Sequence, residues 1–313
     1  MNALAVVLEA PEQLTLRRVE LTPPGDDDVV VDIAFSGIST GTERLLYNGR
    51  MPKFPGMGYP LVPGYESVGR VSSAGSTSGR SVGQWVFVPG ARCFGDLRGL
   101  FGGAASRLVV PGAKATPVAE HLGESSALFA LAATAHHAIA LEGVRPPDLI
   151  VGHGVLGRFL ARITIALGHA APVVWEKNPG RQSGAEGYSV LDPELDSRRD
   201  YKSIYDVSGD SAILDSLIAR LAPGGEIVLA GFYTEMLSFA FAPAFMREVR
   251  ILVAAEWRDS DLAAVIDLVA CGRLSMAHLI THREAAANAK EAYARAFGDI
   301  SCLKMVLDWS AIA

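Results

Sequence analysis

Between residues 151 and 157 the chain reads Val151-Gly152-His153-Gly154-Val155-Leu156-Gly157, with its glycines spaced G-x-G-x-x-G. An apolar run, Leu149–Val151, precedes the glycines, and a helical stretch, Phe159–Leu167, follows them. A strand turning sharply into a helix presents backbone N–H groups at the helix N-terminus, where an anion is favoured. The spacing gives each glycine a role. Gly152 permits the tight turn, Gly154 lets the backbone approach a pyrophosphate, and Gly157 lets helix pack close to strand. A second strand, Pro172–Trp175, ends beside Glu176, about twenty residues past the last glycine, where an acid accepts hydrogen bonds from an adenosine ribose. The pattern predicts a dinucleotide site made by Gly152, His153, Gly154, Val155, Leu156, Gly157 and Glu176. The His153 side chain is expected to meet cofactor phosphate or solvent. A carboxylate at position 176 repels a 2′-phosphate and so favours NAD over NADP. Lys177 and Arg181 pull the other way, since either could pair with that phosphate.

Imidazoles titrate near neutrality, so His136 or His137 could accept a proton. The two are adjacent on one predicted helix, so at most one is expected to face a cleft. His278, His282 and Cys93 carry structural readings only. The three cysteines, Cys93, Cys271 and Cys302, are widely separated and show no C-x-x-C spacing. That excludes a cysteine-rich zinc lobe and favours a reducing, cytoplasmic compartment.

These residues need a frame to hold them. A chain of 313 residues is comfortable for two domains, and 50% hydrophobic against 20% charged residues excludes global disorder. Lys plus Arg number 28 and Asp plus Glu 34, for a net charge of −6. No basic stripe is present, which argues against a nucleic-acid partner. The N-terminus reads as a strand rather than a signal peptide, and the longest apolar stretch, Ala127–Leu141, is too short to span a bilayer. Short strand-like runs separated by turns (Ala5–Leu8, Val29–Ala34, Val68–Ser72, Trp85–Val88 and Arg107–Val110) predict a β-rich domain over 1–120. From there helices and strands alternate: a helix over Glu124–Leu141, a helix over Ser211–Leu221, a strand over Glu226–Ala230 and a helix over Asp259–Cys271. That alternation predicts a doubly wound parallel sheet, a Rossmann α/β domain, over 121–265. Residues 266–313 hold a connector with Thr281-His282-Arg283, a polar helix around Ala285–Phe297 and a strand over Leu303–Asp308. They are expected to return to the first domain, with the active cleft between the two domains.

A β-rich N-terminal domain, a central Rossmann unit and a returning C-terminus resemble the medium-chain dehydrogenase/reductase superfamily, whose first domain is GroES-like. The resemblance covers the whole chain. Gly83-Gln84-Trp85-Val86-Phe87, Gly102-Gly103-Ala104-Ala105-Ser106 and Pro223-Gly224-Gly225 support it. In the zinc alcohol dehydrogenases of that superfamily, metal ligands come from a Gly-Ile-Cys segment, a Gly-His-Glu segment and a residue four before a nicotinamide-side threonine. Here those positions read Gly37-Ile38-Ser39, Gly64-Tyr65-Glu66, and Ala130 before Thr134; a one-residue shift would put Thr40 at the cysteine position. Neither hydroxyls nor a methyl replace thiolate and imidazole ligands, so no metal is expected. Four longer segments, beginning at Ser36, Phe54, Gly152 and Ser301, resemble one subfamily, the 3-hydroxyethyl bacteriochlorophyllide a dehydrogenases of bacteriochlorophyll biosynthesis.

That resemblance implies hydride transfer from the secondary alcohol of a 3-(1-hydroxyethyl) (bacterio)chlorophyllide to NAD, giving the 3-acetyl group. It also implies that Thr134 lies on the nicotinamide side. Proton-handling residues are then sought where the metal would have been. Tyr65 either hydrogen-bonds the substrate oxygen or fills the space the metal leaves; as a base it would need a nearby cation, its free pKa being ~10. Ser39, Thr40 and Thr42 either relay a proton or hold a turn, and His137 or His136 is the alternative base. Glu66 is expected to order the inter-domain region. The Pro- and Gly-rich loop Met51–Pro63 either lines a flat macrocycle or packs on its own domain. Two other functions fit the same frame: a zinc-free quinone or enoyl reductase using NADPH, and a catalytically silent tetrapyrrole-binding partner protein. A homo-oligomer is a further expectation.

Overall fold

The computed structural model describes residues 1–53 and 56–312; Phe54 and Pro55 of the predicted macrocycle loop lie outside the described residues. The chain divides into two compact units, residues 1–130 with 277–313, and residues 131–276.

In the second unit six strands form one sheet in the order Ser189–Leu191, Val173–Trp175, Leu149–Val151, Tyr201–Asp206, Leu221–Leu229, Arg250–Val253. Every neighbouring pair is parallel. Numbered along the chain this is 3-2-1-4-5-6, the doubly wound order in which dinucleotides bind at the carboxyl ends of the strands where the order reverses. Leu149 and Ile150 are wholly buried, as expected of a strand covered on both faces. The strand pairs in register with Val173–Trp175, Val151 opposite Trp175, and this sets the glycine turn beside Glu176.

The first unit carries two sheets. Asn2–Ala10 pairs with Gln13–Glu20 in a four-stranded sheet. A seven-stranded sheet is built around Asp28–Ile38, which pairs with Ser67–Ala74, Arg107–Pro111 and Met305–Asp308. The C-terminal segment is integral to this core, for Tyr293, Cys302, Met305, Leu307 and Trp309 share one apolar cluster with Val29, Val31 and Ile38. Trp309 Nε1 donates to Ser36 Oγ at 2.9 Å, so the indole is buried with its N–H satisfied.

Several elements differ from the sequence reading. The helix expected over Glu124–Leu141 is interrupted: Glu120–Leu128 is 3-10, with Gly123 out of helical geometry at φ 51°, and the α-helix is Phe129–Ala140. The 3-10 segment packs on Asp28–Ile38 and Ser67–Ala74, which places residues 121–130 in the β-rich unit. A boundary at 265 would cut the helix Asp259–Ala270, and the division falls after 276 instead. The expected helix Ser211–Leu221 shrinks to Leu214–Ile218, because the following strand already begins at Leu221. The connector at Thr281–Arg283 is a strand, His282–Ala285, paired in parallel with Met305–Asp308. The unpredicted strand Gln13–Glu20 is largely exposed, with only Val19 buried, so no apolar run announced it.

Candidate functional site

The glycine turn in the second unit is built as the spacing requires. Gly152 sits at φ +108°, a conformation that costs an L-residue strain. A Cβ on Gly157 would lie 1.9 Å from the Gly152 carbonyl oxygen, so helix and turn touch backbone to backbone. A Cβ on Gly154 would meet nothing within 4 Å, and Gly154 is the N-cap of the helix Val155–Ala166. That open position at a helix N-terminus is where a pyrophosphate oxygen could approach the main chain.

Glu176, half-buried at the end of its strand, accepts at Oε2 from the His153 N–H at 3.3 Å and at Oε1 from the Asn178 N–H at 2.8 Å. Its carboxylate is thereby tied to the glycine turn. His153 departs from expectation. Its side chain is fully buried, with Nδ1 2.6 Å from the Arg181 carbonyl and Nε2 2.8 Å from the Tyr188 hydroxyl. Burial lowers its pKa to about 4, so the ring is neutral and faces neither phosphate nor solvent.

His136 and His137 both direct Nδ1 at one carboxylate, Asp261, at 2.8 and 2.9 Å. The two side chains converge on the two oxygens of a single partner. Asp261 also accepts the Arg258 N–H at the start of the helix Asp259–Ala270. Burial would raise its carboxyl, but the Arg258 amide and the two histidines outweigh it and hold the pKa below the usual range. An ionised Asp261 accepts from Nδ1 of each ring, the arrangement of an imidazole and its orienting carboxylate. Thr134, half-buried, lies on the same helix.

In the first unit the structure brings Ser39 and Tyr65 together, the phenol donating to Ser39 Oγ at 2.8 Å. Ser39 Oγ also accepts the Thr42 N–H at 3.3 Å, while Thr40 is half-buried at the turn into the helix Thr42–Tyr47. The Tyr65 ring stands edge-on to Phe101, centroids 5.5 Å apart. Burial, reinforced by the charge of Glu66, pushes the phenol pKa well above its ordinary value. The cation a tyrosinate needs is replaced by carboxylates, so Tyr65 is a hydrogen-bond donor here rather than a base.

Beneath this pair lies a buried polar cluster. Glu43 is wholly buried and accepts from the Ser39 N–H at 2.9 Å and the Tyr293 hydroxyl at 2.6 Å. Burial pushes its carboxyl pKa up to about 7 against those two hydrogen bonds. Glu66, also wholly buried, receives the Lys304 ammonium on both oxygens at 2.8 and 2.7 Å. Lys304 reaches the Ile38 carbonyl as well, at 3.3 Å. Glu66 is thus paired within this unit. A Cβ on Gly37 would fall 2.0 Å from Glu66 Oε2, so only glycine leaves room for that carboxylate.

A serine hydroxyl that accepts from a tyrosine, and the buried methyl of Ala130, do not fit a zinc ion at these positions. Among the described residues no group of three or more His, Cys, Asp or Glu is arranged to hold a metal. All three cysteines are free thiols, with Cys93 and Cys302 buried. Met51 is buried, and Met57 and Tyr59 pack against Leu8, Leu46 and Leu61, so this part of the Pro- and Gly-rich loop rests on its own unit.

Residues 25–120 match the family model described as the alcohol dehydrogenase GroES-like domain. The 2-desacetyl-2-hydroxyethyl bacteriochlorophyllide A dehydrogenase of Cereibacter sphaeroides is 56% identical over 318 residues, covering 100% of this chain and 100% of its own. The chain belongs to that family of bacteriochlorophyllide dehydrogenases. Solved structures share its fold. A short chain alcohol dehydrogenase of Escherichia coli CFT073, complexed with NADH, aligns at TM-score 0.81 and 21% identity, covering 98% of this chain and 99% of the other. A dehydrogenase of the zinc-binding type from Sinorhizobium meliloti 1021, bound to NADP, aligns at TM-score 0.82 and 20% identity, with coverage of 98% and 99%.

In this bacteriochlorophyllide dehydrogenase family member, sequence reasoning missed Lys304, Tyr293, Asp261 and Arg158. Lys304 stands alone in the apolar run Cys302-Leu303-Lys304-Met305-Val306-Leu307, and a lone cation inside a buried strand pattern demands an anion. Arg158 and Arg162 sit one turn apart on an otherwise apolar helix, a similar signal. Among the described residues no helix is long and apolar enough to cross a membrane.

Proposed function

We propose that this chain oxidises the secondary alcohol of a 3-(1-hydroxyethyl) (bacterio)chlorophyllide to the 3-acetyl group, with NAD as acceptor and without zinc. The observation that carries the reading is the 56% identity running the full length of both chains. Bound NAD supplies the hydride acceptor. The glycine turn at 152–157 leaves Gly154 open for the pyrophosphate, Glu176 receives the ribose hydroxyls, and Thr134 lies toward the nicotinamide. The choice of NAD over NADP rests on the Glu176 carboxylate, which disfavours a second negative group beside it.

Ser39, which accepts from Tyr65 and the Thr42 amide, has its own hydroxyl hydrogen to give to the substrate oxygen; Tyr65 orients that hydroxyl, with Thr40 completing the turn. A carbinol attached to a conjugated macrocycle yields a ketone conjugated with that ring, so its oxidation leans less on a Lewis acid than that of a simple alkanol. The alcohol proton needs an acceptor near neutrality. His137, oriented by Asp261, is the group suited to that task. The second unit also ends its sheet on an open edge, Arg250–Val253, near exposed Phe241, Phe245 and Met246 in sequence, which supports a homo-oligomer.

Purified chain incubated with NAD and a 3-(1-hydroxyethyl) bacteriochlorophyllide is expected to form NADH and a red-shifted acetyl pigment in equal amounts, undiminished by chelators. Failure to turn over that pigment, alongside NADPH-dependent reduction of an enone or quinone, would overturn the reading. Stoichiometric zinc lost together with activity would overturn its metal-free part. Sedimentation as a monomer would remove the oligomer.

A further inference from the structure

A residue between two glycines of a phosphate-binding turn needs no side chain for the turn itself, yet His153 is fully buried with both ring nitrogens engaged. The Arg181 carbonyl can only accept, so Nδ1 carries the proton, and Nε2 accepts from the Tyr188 hydroxyl. Arg158, one residue past the last glycine, is also buried, with 6% of its surface exposed. Its Nε donates to the His153 carbonyl at 3.2 Å and its Nη1 to the Gly184 carbonyl at 3.1 Å. Its Nη2 donates to the carbonyls of Arg181 at 3.3 Å and Ser183 at 2.8 Å. One planar fork thus spans the glycine turn and the segment that follows the second strand. A desolvated guanidinium is expensive to bury, and four main-chain acceptors on two segments offset that cost only while the segments keep this spacing.

Glu176 lies between the two tethered segments. Its Oε2 is held by the His153 amide on one side and its Oε1 by the Asn178 amide on the other. Gln182 Nε2 donates to the Glu176 carbonyl at 2.8 Å, closing the segment over the same residue. Any slip between turn and segment would break one of the two amide bonds and swing the carboxylate. The geometry points to His153, Arg158 and Tyr188 as positioning residues for the cofactor site, a clamp that fixes Glu176 for the adenosine ribose and so sets discrimination between the two nicotinamide dinucleotides. This rests on the reading of Glu176 as the ribose acceptor. The low pKa of His153 agrees with it, because a protonated ring could no longer accept from Tyr188.

The test is a fluorescence titration of the purified chain with NADH and with NADPH, for wild type, Arg158→Lys and Tyr188→Phe. Arg158→Lys keeps the charge but cannot span four carbonyls; it is expected to weaken NADH binding roughly ten- to a hundredfold. Tyr188→Phe removes a single hydroxyl, so it keeps the test alive if the first variant does not fold; it is expected to weaken NADH binding about threefold. In both, the ratio of NADPH to NADH affinity moves toward one, and KM for NAD rises more than kcat falls. A role in packing alone would lower the Tm and leave that ratio in place. In a Glu176→Ala background the two substitutions should no longer shift the ratio. Folded variants that keep the wild-type ratio, or that shift it equally without Glu176, overturn the clamp. A wild type that binds NADPH as tightly as NADH overturns instead the ribose reading beneath it.

Discussion

The ligand-facing side of the glycine turn and the polar cluster around Ser39 and Tyr65 handle charge in opposite ways. At the turn the chain removes side chains: Gly154 leaves open space, Gly157 touches Gly152, and Glu176 stays half-exposed. A ligand there would meet main-chain amides, which are polar without carrying a desolvation debt. The β-rich unit instead buries two carboxylates and an ammonium, with Glu43 and Glu66 wholly inaccessible and Lys304 2% exposed. Inside that cluster the two acids fare differently. Glu66 has a cation on both oxygens, whereas Glu43 has only neutral donors, Tyr293 and the Ser39 amide, and its carboxyl moves up to about 7. At Glu43 those two hydrogen bonds do not offset the burial of the charge.

The largest effect is expected at Lys304. Lys304→Met leaves Glu66 buried and unpaired and should cost about 3–5 kcal/mol in urea unfolding, part of it regained by adding Glu66→Gln. A loss below about 1 kcal/mol, the range of an exposed pair, would mean that the cluster is not the buried network described.

Glu43 comes next. Its carboxyl is raised from 4.5 to about 7 in the folded protein, so its stabilising effect is complete below the unfolded value and declines as pH rises through the folded one. The stability of wild type relative to Glu43→Gln should therefore fall by roughly 3 kcal/mol between acid and neutral pH, then level off. A pH-independent difference would mean that burial does not raise the Glu43 carboxyl.

At the turn, Glu176→Ala should raise KM for NAD roughly tenfold to a hundredfold, the value of one or more charged hydrogen bonds, with less effect on kcat. It should also relax discrimination against NADP, since Lys177 and Arg181 would no longer be opposed. A wild type that already prefers NADP would reduce Glu176 to a strand end. The smallest effect belongs to Tyr65→Phe, which should lower kcat by roughly tenfold, the worth of one hydrogen bond, without altering NADH binding. Equal losses in both would tie the two regions together.

How much of this was legible follows from the same contrast. The turn is local: its glycines, strand and helix lie within twenty residues, with Gly152 and Gly157 constrained by backbone geometry, so spacing alone located it. The cluster is assembled from positions 39, 43, 66, 293 and 304, brought together by strand register between Met305–Asp308 and Asp28–Ile38. Ser39 and Tyr65 were found through their family positions, but nothing near them in sequence pointed to Lys304 or Tyr293. His153 was misplaced for a related reason: the turn fixes its backbone, while Arg181 and Tyr188 decide where its ring goes.

The register that brings Lys304 to Glu66 also orders events during synthesis. The parallel sheet has its last strand once Val253 has been made, and that unit is continuous in sequence from 131 to 276. The β-rich unit begins first yet waits longest. Asp28–Ile38 lacks a neighbour, and Glu66 lacks its counter-charge, until residues 304–308 leave the ribosome. At translation rates of about 5–20 residues per second, that half-finished sheet waits on the order of ten seconds or more, so the earliest-made part of the chain is the one most exposed to chaperones.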